Sequence, residues 1–301
     1  MKNKIVFRTY EGGREINTDF RKVYNFLVES KNTEYTYGRF NWMMTNWEYL
    51  EEQFLNRIGI WEEQGQIVAA DLFDLSLGDV FPVTLPGYEF LYEEMLEYAK
   101  NNMINEEQPN FRVFICDTNQ ELQRAAQNAG LIPTPAKEMV ARFDLKEGIP
   151  ESTLPQGYMY QDLEKQRDYR NYKLCLFKGF GHEENGRVFS FTEKDLEDLK
   201  QAYERDYVDL SLMISVADSA GNYVAHTGMW YDENAEFALI EPVCTIPEAR
   251  RRGIGRAAVL EGLRRVKGMG AKYAVVGSSQ QFYYSIGFVP HSTGTFWIKR
   301  G

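Results

Sequence analysis

The chain has 301 residues, 44% of them hydrophobic and 26% charged, with 19 Phe, 19 Tyr and 5 Trp. That length suits two domains of about 150 residues each, and so much aromatic surface argues against a disordered chain. Lys and Arg total 34 against 44 Asp and Glu, a net charge of −10 that argues against a general nucleic-acid binder.

From the N-terminus, Arg8 interrupts the first apolar stretch before it could serve as a secretory signal. Thr45-Asn46-Trp47-Glu48 has the form of a capping box and predicts a helix through about Asn56. Arg57–Trp61 and Gln66–Phe73 read as a hairpin around Glu62–Gly65. Val80–Pro86 leads into a helical pattern that opens with Glu89, Glu93, Glu94 and Glu97. A strand follows at Phe111–Cys116, then a second capping box at Thr118–Glu121 whose helix stops at Gly130. Lys146–Gly157, with two prolines and two glycines, has the composition of a linker.

Beyond the linker the order repeats. Thr192–Asp195 opens a helix through about Asp206, and Ser211–Ala217 with Tyr223–Tyr231 forms a hairpin. Phe237–Thr245 is a strand, Val259, Leu260, Leu263 and Val266 mark a helix, and Tyr273–Val276 is another strand. Gly287-Phe288 then echoes Gly130-Leu131. The economical expectation is an internal duplication of one mixed α/β unit, divided as 1–147 and 148–301.

No apolar run approaches the roughly 18 residues of a membrane span. Cys116, Cys175 and Cys244 lie far apart with no CxxC, so neither a disulfide framework nor a zinc site is expected. These features predict a cytoplasmic protein with no metal, no membrane partner and no nucleic-acid partner.

Charge is unevenly placed. Residues 1–150 hold 15 basic and 24 acidic residues, whereas Glu248–Lys267 alone holds seven basic residues against two acids. Such a local excess points to an anion site. The strand Phe237–Thr245 enters a turn containing Arg250, Arg251, Arg252, Gly253, Ile254, Gly255 and Arg256, and a helix follows. The glycines allow close backbone approach. The first N–H groups of a helix lack internal partners and point at an anion, while arginines there oppose the helix dipole unless an anion is present. This is the composition of a pyrophosphate cradle. A P-loop is excluded by the lack of Gly-Lys-Ser/Thr. Gly253, Gly255 and Ala258 do match a dinucleotide fingerprint, but Ile246–Arg252 separate them from the strand and the ribose-binding acid is missing. Coenzyme A fits best.

Arg250-Arg251-Arg252-Gly253-Ile254-Gly255 resembles the R/Q-x-x-G-x-G/A signature of the GNAT N-acetyltransferase superfamily, and Tyr283–Phe288 resembles its later Y-x-x-x-G-F element. The resemblance is clear over about 210–290, and the first half shares only the order of elements. It implies two tandem GNAT-like domains of α/β (α+β) class, each a mixed, mostly antiparallel central sheet flanked by helices. It further implies that backbone groups of Val243 and Thr245 meet pantetheine and that N–H groups from Arg251 through Ala257 hold the pyrophosphate. A backbone N–H near Val243 or Cys244 would stabilise the oxyanion. Tyr283 stands where a tyrosine commonly protonates the departing thiolate, with Tyr284 as the fallback.

The chemistry also needs a base. Glu241 is the choice, on the argument that it shares strand parity with Val243 and Thr245. His226 is an alternative base or substrate contact, weighed against a core histidine. His182, in a glycine-bearing loop, is a candidate acceptor contact. Cys244 reads as a small buried strand residue and not a nucleophile. The expected function is transfer of an acetyl group from acetyl-CoA to a primary amine, on a small molecule, by direct attack in a ternary complex. The alternatives are a non-catalytic acyl-CoA-binding or sensing protein and a dinucleotide-binding enzyme. The first half lacks the glycine-arginine turn, so it is expected to be a degenerate, non-catalytic copy. The protein is expected to be a monomer or homodimer.

Overall fold

A computed structural model describes residues 4–105 and 111–299. The chain forms two compact units. The first comprises residues 1–140 together with 290–301, and the second comprises residues 141–289. The division therefore falls earlier than the linker composition suggests, and the C-terminal segment belongs with the first unit.

In the first unit, β1 (Ile5–Thr9), β2 (Gly59–Glu63), β3 (Gln66–Asp74), β4 (Ser76–Thr84) and β5 (Arg112–Cys116) are neighbours in that order. Next to β5 lies β12 (Val289–Lys299), antiparallel, with Gly294–Ile298 opposite Cys116–Arg112. The β2–β3 hairpin turns through Gln64 and Gly65, both at positive φ, as a two-residue hairpin requires. Helices α1 (Thr18–Ser30) and α2 (Tyr37–Thr45) lie between β1 and β2 in sequence. Helices α3 (Tyr92–Asn102) and α4 (Gln120–Asn128) pack on β2, β3 and β5 through Met95, Leu96, Leu122 and Ala126.

The helix expected from Thr45 to Asn56 is not there. Thr36 caps α2 instead, accepting from the Arg39 N–H, and α2 ends at Thr45. The Thr45 hydroxyl donates back to the Trp42 carbonyl at 2.7 Å, so it is unavailable to cap a helix ahead of it. A short 3₁₀ helix spans Glu52–Arg57. By contrast Asn119, in the second predicted box, caps α4 through the Leu122 N–H, and Gly130 follows at φ 78°.

The second unit holds the end of β6 (Leu131–Asp144), β7 (Met159–Asp162), β8 (Met213–Ala217), β9 (Tyr223–Trp230), β10 (Phe237–Thr245) and β11 (Tyr273–Val276). Their order across the sheet is β6-β11-β10-β9-β8-β7. All neighbours are antiparallel except β10 and β11, as are those of the first unit except β4 and β5. Helix α5 (Tyr169–Gly179) precedes α6 (Glu193–Tyr203), which begins with the full Thr192–Asp195 capping box. Helix α7 (Ile254–Met269) buries Val259, Leu260, Leu263 and Val266 against Ala238, Ile240, Ala274 and Val276 of the sheet. Short α8 (Gln281–Ile286) joins that core through Tyr283 and Ile286. Arg265 on α7 pairs with the buried Asp162 of β7 at 2.8 Å and with Glu261 at 3.0 Å. Among the described residues no helix is long and apolar enough to cross a membrane.

Candidate active site

The second unit opens its sheet beside the predicted cradle. β10 pairs with β11 only over Phe237–Leu239, opposite Tyr273–Val275. It then runs on to Thr245, while β11 stops at Val276. On its other edge β10 stays paired with β9 as far as Thr245. The stretch from Ile240 to Thr245 thus presents one edge with no β11 partner, and backbone groups on such an edge need an outside partner when water is excluded.

A β-bulge lies between Ile240 and Val243, and the Glu241–Pro242 peptide is cis. The Glu241 carbonyl accepts a hydrogen bond from Trp230 Nε1 at 2.7 Å. A Cβ on Gly228 would lie 2.4 Å from the same carbonyl oxygen, so only glycine fits opposite the bulge. The bulge overturns the parity argument for Glu241. Ile240 and Val243 both pack on the α7-side core, so simple alternation does not put Glu241 on the face of Val243 and Thr245.

After Thr245 the chain passes a short 3₁₀ turn, Pro247–Ala249, and reaches the arginines. Arg250 braces the turn: Nε donates to the Thr245 carbonyl at 3.0 Å and Nη2 to the Gly179 carbonyl at 2.9 Å. Arg252 donates to the Tyr158 hydroxyl at 3.1 Å, and Arg256 to the Ser285 carbonyl at 2.8 Å. Arg251 is exposed at φ 61°. Gly253 precedes α7 at φ 78°, with no side-chain cap and no acid in the first turn. A Cβ on Gly255 would lie 2.6 Å from Thr245 Oγ1. The helix start and the end of the opened strand are therefore in contact only because residue 255 has no side chain. The side chain of Ile254 is buried, which leaves its N–H group as its only offering to a ligand, whereas the Ala257 N–H is already given to the Gly253 carbonyl at 2.9 Å.

Tyr283 is 6% exposed and packs edge-on against Phe282 and Phe288 at 5.0 and 5.5 Å. Burial raises its phenol well above the ordinary tyrosine value, and the Glu241 carboxylate raises it further. The hydroxyl is thus held protonated beside a carboxylate, the state a proton donor needs.

The remaining candidates have other surroundings. His226 is fully buried on β9, its Nδ1 3.0 Å from Ser215 Oγ and its ring against Tyr172 at 4.7 Å. Burial pushes its pKa down to about 3. It is a neutral core histidine and not an accessible base. His182 lies in the loop after α5, its ring 5.6 Å from Phe177. Cys244 turns toward α5, its Sγ 3.9 Å from the buried Cys175 Sγ. A Cβ on Gly179 would meet it at 2.6 Å. Sequence reasoning missed this use of α5: Gly179 reads as a loop glycine, yet it is where the helix end touches the opened strand. Among the described residues no group of His, Cys, Asp or Glu could hold a metal ion.

An open strand edge, an uncapped helix start ringed by arginines, a buried phenol and a carboxylate together can seat an anionic ligand and move a proton. Residues 176–288 match the family model described as the Acetyltransferase (GNAT) family. No curated protein matches the chain. Among solved structures it is similar to a GCN5-related N-acetyltransferase from Sphaerobacter thermophilus, with 14% identity and a TM-score of 0.56 over 97% of this chain and 94% of that one. It is similar to a tandem GNAT protein from the clavulanic acid biosynthesis pathway, with 12% identity and a TM-score of 0.57 over 98% of both chains. L-PGS from Bacillus licheniformis has 13% identity and a TM-score of 0.53 over 97% of this chain and 94% of its own. Residues 176–288 therefore form a domain of the GNAT acetyltransferase family, in a chain whose fold is similar to that of a tandem GNAT protein.

Proposed function

We propose that the second unit transfers an acetyl group from acetyl-CoA to the primary amine of a small molecule. The observation that carries this reading is the contact of the opened β10 edge with the uncapped, arginine-ringed start of α7 at Gly255 and Thr245. In it, N–H groups from Arg251 to Arg256 hold the pyrophosphate, with Arg251, Arg252 and Arg256 supplying charge; the Ala257 N–H, expected among them, is given to the Gly253 carbonyl. Backbone groups of Val243 and Thr245 hold the pantetheine arm along the open edge, and an N–H near Val243 or Cys244 meets the developing oxyanion.

The chemical balance is simple. A neutral amine attacks the thioester carbonyl, a C–N bond forms and the C–S bond breaks. Glu241 accepts the proton the nitrogen loses, directly or through water, and Tyr283 supplies one to the departing thiolate. The products are an amide and free CoA thiol. A phenol held protonated by burial and by a neighbouring carboxylate suits the donor role.

The first unit we read as a non-catalytic copy. Phe81 stands where Glu241 stands in the second, in Val80-Phe81-Pro82 against Ile240-Glu241-Pro242. The helix that follows carries Glu89, Glu93 and Glu94 at its start, which would repel a pyrophosphate.

Thiol release from acetyl-CoA, screened over metabolite amines, tests the reading. Amine-dependent release that falls in Arg252→Ala/Gly255→Glu supports it. Tight acetyl-CoA binding with no release for any amine would instead favour a non-catalytic sensor. A thermal shift with NAD but not with CoA would favour a dinucleotide enzyme.

A further inference from the structure

The bulge in β10 falls where the proposed base stands. Met229 of β9 pairs with Ile240 and Thr227 with Val243, so Gly228 alone lies opposite both Glu241 and Pro242. Pro242 has no N–H to give a neighbouring strand, and a bulged residue is left out of the ladder. The pairing with β11 has already ended at Leu239. Glu241 thus sits on a stretch of strand that regular pairing holds on neither edge. A catalytic carboxylate on such a stretch needs another constraint, since a misplacement of about 1 Å can cost about 10²-fold in rate.

Trp230 provides it. The residue lies on β9 opposite Leu239, beyond Gly228, and is 3% exposed. Its indole N–H donates to the Glu241 carbonyl at 2.7 Å, at the short end of the N–H···O range. Gly228 closes on the same oxygen: a Cβ there would lie 2.4 Å from it and 3.0 Å from Pro242 Cδ. The carbonyl is therefore held between a glycine backbone and an indole ring fixed in the core. Holding the carbonyl holds the plane of its peptide, and so limits where the Glu241 side chain can leave the strand. The carboxylate it carries acts on the Tyr283 phenol, raising it. The base and the proton donor of the proposed reaction are thus kept near one another through a bond that neither side chain makes.

We infer that Trp230 is a positioning residue of acetyl transfer, whose indole N–H holds the bulged Glu241 backbone so that the carboxylate meets the incoming amine. The inference rests on the reading of Glu241 as the base, and it assigns Trp230 no contact with substrate. A tryptophan that only filled the core would affect every property of β10 alike, including its hold on acetyl-CoA through Val243 and Thr245.

Trp230→Phe keeps an aromatic ring and removes the donor. In the full chain it is compared with the parent, with Glu241→Gln and with the double variant, by thiol release from acetyl-CoA with ethanolamine, putrescine, lysine, tyramine and glucosamine. Trp230→Phe should lower kcat about tenfold, with KM for acetyl-CoA within about twofold of the parent. In the Glu241→Gln background, itself lowered about 10²-fold, the same change should cost less than about twofold, because the group it positions is gone. Gly228→Ala disturbs the same carbonyl by another route and should show the same dependence on Glu241, which keeps the inference testable should Trp230→Phe fold poorly. An unchanged kcat in Trp230→Phe, a matching rise in KM, or equal losses with and without Glu241 would overturn the inference and leave the transfer reading standing. A parent that releases no thiol with any of these amines, or that loses nothing in Glu241→Gln, would overturn the base assignment and this inference with it.

Discussion

Gly255 and Thr245 touch: a Cβ added to the first would sit 2.6 Å from the hydroxyl oxygen of the second. That contact joins the opened strand to the helix start, and it predicts a specific pattern of rescue. Gly255→Ala should weaken CoA binding by about tenfold or more, roughly 1.4 kcal/mol, because the helix start must back away. Adding Thr245→Ala removes the obstructing oxygen and should recover part of the loss. Calorimetric titration of CoA into both variants checks this, and equal affinity in the single and double variants would contradict it.

Arg250 and Arg251 are neighbours with different work. Arg250 spans Thr245 and Gly179 through two carbonyls, whereas Arg251 is exposed. Arg250→Ala should lower the melting temperature along with CoA affinity, at a cost of about 1–3 kcal/mol for the two charged hydrogen bonds. Arg251→Ala should weaken CoA binding with the melting temperature unchanged. Parallel melting and binding curves separate the two.

Tyr283→Phe should lower kcat by about 10²-fold or more, with a smaller effect on KM. Because its phenol is raised above the usual tyrosine value near 10, the hydroxyl stays protonated across the neutral and mildly alkaline range. No alkaline loss of rate below about pH 10 should therefore trace to Tyr283. An alkaline limb below about pH 10 that vanishes in Tyr283→Phe would contradict the raised phenol pKa, and an unchanged kcat in Tyr283→Phe would sink the donor role.

Two buried groups give stability opposite pH dependences. The His226 pKa falls to about 3 in the folded state by burial, against about 6.5 when unfolded. Between those values the unfolded chain binds a proton that the folded chain does not. Stability should fall with acidification from pH 6.5 toward 3 by about 1.4 kcal/mol per pH unit from this group alone. His226→Gln should flatten that slope by about one proton, measured by urea unfolding across the range.

Asp71 works the other way. It is fully buried on β3, both carboxyl oxygens lack partners, and burial raises its pKa well above the ordinary value. Above the unfolded value near 3.9 the unfolded chain gives up a proton that the folded chain keeps, so this group costs stability as pH rises until its folded pKa is passed. Asp71→Leu should stabilise the protein at neutral pH and have less effect near pH 4. A variant less stable at pH 7 than the parent would refute this account of the site.

What the sequence determined is the local chemistry. Thr192 and Asp195 form a reciprocal cap wherever they stand three apart at a helix start. The strands Phe237–Thr245 and Tyr273–Val276 fall where their β-branched and aromatic runs put them. Gly253 and Gly255 announced a helix start that a ligand's phosphates could approach, because no other residue leaves that space. What only the tertiary structure decided is which distant groups share each local feature. Thr45 has a capping residue's chemistry but turns its hydroxyl back to Trp42. Arg250 looks like one phosphate ligand among four and instead ties Gly179 to Thr245. The bulge at Glu241 depends on Gly228 and Trp230 across the ladder, and β12 completes the first unit from the far end of the chain. A residue's own chemistry is fixed by its side chain, whereas its partner is chosen by packing among segments far apart in sequence, and no local pattern records that choice.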